Sequence, residues 1–388
     1  MISLRERLPM DPTLLLLGLA LMAVGLVAIS SASVEYGTFH HDNGWYHTQR
    51  HLFYLVVSLA VATGAYFVPA QFWLATGWFW LLGGVALLVL VLLPGVGKDV
   101  NGSQRWLPLG PFTLQASEFA KFTVLIYLAG YLVRHGDELR SRWQGFAKPM
   151  AVLLLVSVLL MAEPDFGATV ILVVTAFGML FLAGVKLTSF LGVMSLSVAG
   201  LVALVFAAPY RVARLTAYTD PWADPYGSGF QLIQSLIAFG RGEWVGVGLG
   251  NSIQKLFYLP EAHTDFVFSI WAEETGFLGA MLVIGLFVAL IGRILWVARQ
   301  AQIVGDEFGA NLCFGVALVF SGQAFVNIGV SSGLLPTKGL TLPFVSYGGS
   351  SLIVCCTMLA LVLRIERDLC VAPSRKAAAP ANKKRARA

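Results

Sequence analysis

An all-α polytopic integral membrane protein is the fold class this sequence predicts, on three observations. Hydrophobic residues make up 57% of the 388 positions and charged residues only 12%, a composition foreign to soluble domains. The apolar residues gather in ten runs, each near the roughly 20 residues that carry a helix across about 30 Å of hydrocarbon. The lysines and arginines collect in alternate connections, as the positive-inside bias demands.

The first run starts at Thr13 with Pro12 at its entry. It outlasts the apolar core of a signal peptide, so residues 1–12 are expected to be a short cytoplasmic segment before an uncleaved span. A polar, aromatic loop, Glu35 to Arg50, leads to runs near His51 and Phe72. The loop from Pro94 to Ala116, containing "NGSQRWLPLGPF", precedes a fourth run at Ser117. A basic connection, Arg134 to Lys148, precedes runs five and six near Pro149 and Phe166, which only "AEPDFG" separates. Run seven begins near Thr188.

The large loop, about 208–265, is dense in turn formers at "TDPWADPYGSG" and cannot itself span. Within it "FQLIQSLIAFG" has helical periodicity, with Phe230, Ile233, Ile237 and Leu236 on one side. It reads as a short interfacial helix ended by Gly240. Runs eight and nine start near Phe266 and Phe308. "SSGLLPTKGL" (Ser331 to Leu340) joins them to run ten, which Pro343, Gly348 and Gly349 of "PFVSYGGSS" interrupt. These small residues suit close helix approach, and a backbone-lined groove is the other reading. The ten-span domain is thus 13–366, followed by a basic tail, 367–388.

Ten spans put both termini on one side. With the N-terminus cytoplasmic, the inner segments hold most of the 26 lysines and arginines. The net charge of +5 arises in the tail, which suits an anchor on anionic lipid rather than a nucleic-acid site. Cys313, Cys355, Cys356 and Cys370 lie in the last two runs or the tail, so neither a disulfide framework nor a metal spacing is implied.

Chemistry is expected on the outer side, where the loops carry Gly, Pro, Trp and both signs of charge. The stretch "LPEAHTDFVFSIWAEETG" sets Glu261, His263 and Asp265 at the mouth of run eight. It places Glu273 and Glu274 about 12 Å further along a helix, within the expected hydrocarbon zone. In "QASEFAK", Glu118 and Lys121 share a helical face, either as a self-contained salt bridge or as part of a polar cleft with Asp265. Asp165 has the same choice between a helix cap and a cleft. "SEFAK" and "TKG" match neither S-x-x-K nor K-T-G, so an acyl-enzyme is not indicated. "GVGLGNS" lacks the strand–turn–helix setting of a nucleotide loop.

Taken in order, "NGSQRWLPLGPFTLQASEFAK", "EPDFG", "LPEAHTDFVFS" and "GLLPTKGLTLPFVSYGGSS" closely resemble the SEDS family (shape, elongation, division and sporulation). "PEAHTDF" and "LPTKGLTLP" are more similar to its division branch than to its elongation branch. The resemblance implies a peptidoglycan glycosyltransferase that polymerises lipid II at the outer face of the cytoplasmic membrane, at the division septum. It implies Asp265 as the general base of a single inverting displacement giving a β-1,4 linkage. The departing diphosphate calls for positive charge, from a side chain or a divalent cation such as Mg2+ or Mn2+. Candidate substrate-binding residues are Lys338 first, then Arg105, Arg211, Arg214 and Lys121, with Glu118, while Glu261 and His263 shape the loop around Asp265. Implied partners are lipid II, undecaprenyl-diphosphate-linked glycan, membrane lipids, a cognate class B penicillin-binding protein and other division proteins. The residues alone leave three alternatives open: a lipid II flippase or transporter, an elongation-type polymerase, and a recruiting scaffold.

Overall fold

The structure is a computed structural model that describes residues 11–100, 103–110, 112–206, 212, 216–337 and 339–378. In lipid the backbone must satisfy its own polar groups, so apolar runs become helices. They are α1 Pro12–His41, α2 Tyr46–Phe67, α3 Ala70–Leu92, α4 Ala116–Arg134, a short α5 Gly136–Ser141, α6 Trp143–Ala162, α7 Phe166–Leu182, α8 Leu187–Phe206, α9 Phe230–Gly242, α10 Val267–Val304, α11 Glu307–Ser331 and α12 Gly349–Ala378. Among the described residues, nine are long and apolar enough to cross a membrane. The remaining expected span, run six, is α7, with 17 residues or about 26 Å of helix.

Position in the bundle follows from the sequence of each helix. In α4 nearly every side chain from Ala116 to Leu132 is buried, which places it at the centre. It packs against α3, α7, α11 and α12. By contrast, α8 turns almost all of its apolar side chains outward, as a lipid-facing helix does. Two details differ from expectation. Run ten starts as a helix only at Gly349, and residues 339–348 form a non-helical segment that buries Leu340, Leu342, Phe344 and Val345. The loop before α4 contains a three-stranded antiparallel sheet, β1 Lys98–Val100, β2 Ser103–Leu109 and β3 Phe112–Gln115, pairing Trp106 with Gln115 and Leu107 with Leu114.

The amphipathic α9 ends two residues later than expected and lies against α10 and α11. Leu232, Ile233 and Ala238 are buried, and Ser235 Oγ is 2.6 Å from both Ser269 Oγ and Ser331 O.

The largest departure lies in α10, which is two helices joined across Gly276 (φ 67°, ψ −165°). The chain after α9 inserts at this break and satisfies the freed backbone groups. Phe277 N donates to Glu243 O (2.8 Å) and Leu278 N to Trp244 O (3.2 Å), while Val247 N and Gly248 N donate to Glu273 O and Glu274 O (3.0 Å each). Non-helical backbone within a membrane domain is tolerated where protein covers it in this way.

The following turn, Gly250–Lys255, wraps the two glutamates. Glu273 accepts from Arg241 Nη1 (3.0 Å), Ile253 N (3.1 Å), Gln254 N (3.3 Å) and the Ser252 hydroxyl. Glu274 accepts from Lys255 Nζ (3.1 Å) and from Ser31 Oγ of α1 (2.5 Å). At the other end of the same helix pair, Arg293 Nε donates to Asp11 Oδ2 at 2.6 Å. Along α1 and α10 these two polar ties are about 30 Å and about 28 Å apart, one hydrocarbon thickness. Glu273 and Glu274, expected inside that zone, are each paired and buried within the protein.

Candidate active site

Asp265 follows "PEAHT" at the end of the large loop, immediately before α10. What holds it is an apolar satellite cluster in which Leu259, Ala262 and Phe266 pack on Ala32 of α1, Ile270 of α10 and Val330 of α11. Glu261, in a left-handed conformation (φ 57°), closes the turn above that cluster. Its carbonyl accepts from Thr264 N and Phe266 N (3.2 Å each) and its carboxylate from Thr264 Oγ1 (2.6 Å).

The Asp265 segment is tied to two others. Asn327, on α11, donates through Nδ2 to Asp265 O (2.8 Å) and to Leu340 O (2.6 Å). Tyr347 N donates to His263 O at 3.1 Å. The Asp265 carboxylate rests against Gly339, where a Cβ would lie 2.9 Å from Oδ2. Two motifs some 75 residues apart in sequence, "PEAHTDF" and "GLTLPFVSYGG", are thus one surface in space. Lys338, Arg211 and Arg214 lie outside the described residues.

Because Asn327 holds both segments by backbone oxygens, Asn327→Leu is expected to loosen them together. The cost is the two hydrogen bonds, about 1–3 kcal/mol in all, read as a lower melting temperature in detergent together with reduced turnover. Unchanged turnover would mean that the bridge does not position Asp265.

The remaining sequence candidates fall into two places. Glu118 and Lys121 pair with each other at 2.9 Å, both buried inside α4. Lys121 also borders a small interior cavity with Ile171, Leu172 and Thr175 of α7 and Val319 of α11. Arg105, on β2, donates Nε to Glu163 O (2.9 Å) and Nη2 to Pro164 O (2.7 Å), so the sheet serves to grip the "EPDFG" hairpin. Asp165 caps α7, Oδ1 accepting from Ala168 N at 3.1 Å. The hairpin meets the Asp265 surface at Gly167, where a Cβ would lie 3.0 Å from the Leu340 side chain.

Glu163 was not singled out by sequence, since one glutamate beside Pro164 reads as turn polarity. Its carboxylate is fully buried, with neither oxygen hydrogen-bonded among the described residues. Burial first, then the Asp165 carboxylate, pushes its pKa up to about 8 against the opposing Arg105. The folded state therefore holds a proton that the unfolded chain releases near pH 4.5, and stability is lost as pH rises from there to about 8. Glu163→Gln is expected to remove that slope, its melting temperature exceeding that of the wild type increasingly between pH 5 and 8. Parallel pH curves would contradict the assignment.

Among the described residues no group of three or more His, Cys, Asp or Glu side chains is placed to hold a metal ion.

Comparison with known proteins finds similarity along most of the length of the chain. A sequence profile of the family comprising FtsW, RodA and SpoVE, described as cell cycle protein, matches residues 12–370. A probable peptidoglycan glycosyltransferase FtsW from Hahella chejuensis is 52% identical over 360 residues, 93% of this chain and 91% of that one. The protein of the same description from Pseudomonas fluorescens is 53% identical over 348 residues, covering 90% and 86%. Among solved structures, a chain of a peptidoglycan synthase complex that coordinates polymerization and crosslinking superposes with a TM-score of 0.73 at 31% identity. It covers 93% of this chain and 98% of that one. The rod shape determining protein RodA of Thermus thermophilus gives 0.68 at 29% identity, covering 92% and 97%.

Proposed function

The chain belongs to the FtsW/RodA/SpoVE family, and from that premise we propose that Asp265 is the general base of its glycosyl transfer. The protein is a multi-pass membrane peptidoglycan glycosyltransferase, and its kinship with the FtsW proteins places it with the division enzymes. Its substrate is lipid II. Asp265 takes the proton from the acceptor sugar hydroxyl as that oxygen attacks the donor's anomeric carbon, and the undecaprenyl diphosphate leaves from the opposite face. One displacement inverts the α-linked diphosphate to a β-1,4 glycoside, with no covalent sugar–enzyme intermediate.

The observation that carries this is the convergence on Asp265. Asn327 joins its backbone to Leu340, and the Gly339 backbone backs its carboxylate. A base held by backbone contacts keeps its direction while a flexible amphiphilic substrate turns over. Lys338, Arg211 and Arg214 remain the candidates for the diphosphate; Arg105 and Lys121 are engaged with Pro164 and Glu118 in the structure. Both termini are assigned to the cytoplasm and Asp265 to the outer face, at the septal inner membrane. The partner is a cognate class B penicillin-binding protein, consistent with the similarity to a chain of a peptidoglycan synthase complex.

Purified protein, its transpeptidase and lipid II are expected to yield glycan polymer on a gel. Lipid II that crosses sealed vesicles with no polymer formed would favour the flippase reading instead.

A further inference from the structure

Two imidazoles beside the Asp265 segment have no hydrogen-bond partner among the described residues. His51 is fully buried and His47 is 8% exposed, and all four of their ring nitrogens lack a hydrogen bond among the described residues. Proteins rarely bury unpaired polar groups, and those that they keep call for an explanation. The two histidines sit one turn apart at the start of α2, so they face the same way.

Three further rings, each from a different part of the chain, close around them. His263 comes from the Asp265 loop, Tyr347 from the segment before α12, and Tyr36 from the end of α1. Ring centroids are 4.9 Å apart for His47–His263, 5.3 Å for His47–Tyr347, 5.7 Å for His263–Tyr347 and 6.1 Å for His51–Tyr347. Tyr36 lies 5.4 Å from His47 and 5.2 Å from His263. The backbone bond from Tyr347 N to His263 O joins the cluster to the chain that ends, two residues later, in Asp265.

We propose that this cluster is a saccharide subsite: His47 and His51 hydrogen-bond hydroxyl or acetamido groups of a substrate sugar, and the aromatic rings cover its apolar face. This rests on the glycosyltransferase reading above. Burial holds His263 down to a pKa of about 4, so the ring that faces His47 brings no positive charge to a diphosphate at physiological pH. A neutral imidazole offers one donor and one acceptor, which suits a sugar and not a diphosphate. Chelation is not the use either, since no metal-holding group occurs among the described residues.

A purely structural role makes the opposite prediction for one substitution. His51→Phe and His47→Phe keep the ring and remove both nitrogens, so burying them should leave the melting temperature equal to or above that of the wild type. The subsite predicts that the same variants raise the KM for lipid II about tenfold or more, the loss of one or two good hydrogen bonds, with kcat little changed. With lipid II saturating, the KM for an undecaprenyl-diphosphate-linked glycan primer tells which substrate the subsite holds. Undecaprenyl diphosphate, which has no sugar, should inhibit wild type and variants equally.

A wild-type KM for both substrates in a folded Phe variant overturns the proposal, as does inhibition by undecaprenyl diphosphate that weakens in parallel. Where a Phe variant does not fold, His51→Gln displaces the polar atoms without removing them. It should raise KM by a smaller factor, and a wild-type KM for it is again fatal. Failure of the wild type itself to make polymer would instead sink the glycosyltransferase reading.

Discussion

Asp265→Asn is expected to lower glycan polymerisation by about 10²–10⁴-fold, the usual contribution of a positioned general base, while the protein still folds and binds its transpeptidase. The amide has the shape of the carboxylate but cannot take a proton from a sugar hydroxyl at neutral pH. The Asn327 bond is unaffected, because it is made to the Asp265 carbonyl and not to its side chain. A melting temperature near that of the wild type and normal co-purification of the transpeptidase separate lost chemistry from lost structure. Polymerisation at the wild-type rate in this variant would remove Asp265 from the mechanism.

Gly276→Ala is expected to abolish the stable fold or lower its melting temperature sharply. At φ 67°, ψ −165° the residue occupies backbone space nearly closed to side chains, a cost of about 1–3 kcal/mol for the conformation alone. The contact is worse. A Cβ would lie 2.4 Å from Gly246 N and 2.6 Å from Trp244 C. These are backbone atoms of the inserted segment, which hydrogen bonds on both sides of the break fix in place. Gly285→Ala, further along the same helix and with nothing within 4 Å of the new carbon, is the matched control. It should be neutral or stabilise by up to about 1 kcal/mol. Thermal melts in one detergent compare the two, and equal stability would mean that the break is not built as described.

Both substitutions fall in a stretch whose sequence was informative to different depths. The apolar runs revealed the helices, because only length and hydropathy are needed to cross lipid. Asp265 stood out because a carboxylate at the mouth of such a run is costly without a purpose. The break at Gly276 was invisible, since "WAEETGFLGAML" reads as unbroken helix and glycine is common in membrane helices. Its cause lies about 30 residues earlier in the chain. Nothing local names the partners of Glu273 and Glu274, which are a turn whose own sequence resembles a loop and Ser31, 243 residues away.

The site shows the same division. Asn327 could have been found, as a polar residue inside an apolar run. His47 and His51 could not, because nothing local says that α2 meets the Asp265 loop or that its rings are left unpaired. The small sheet was hidden by its prolines and glycine, which signal turns before strands. Its one evident duty, presenting Arg105 to the "EPDFG" hairpin, exists only in three dimensions.

The two polar ties between α1 and α10, Asp11–Arg293 at one end and Ser31–Glu274 at the other, also act as a ruler. They hold two polar levels about 30 Å apart along the pair, and the helices between them cannot stretch. A bilayer much thicker or thinner than about 30 Å must therefore deform around the protein or tilt it, at fractions of a kcal/mol per Å of mismatch. On the proposed role of Asp265, tilt would shift that residue relative to the headgroups, so turnover is expected to depend on acyl-chain length.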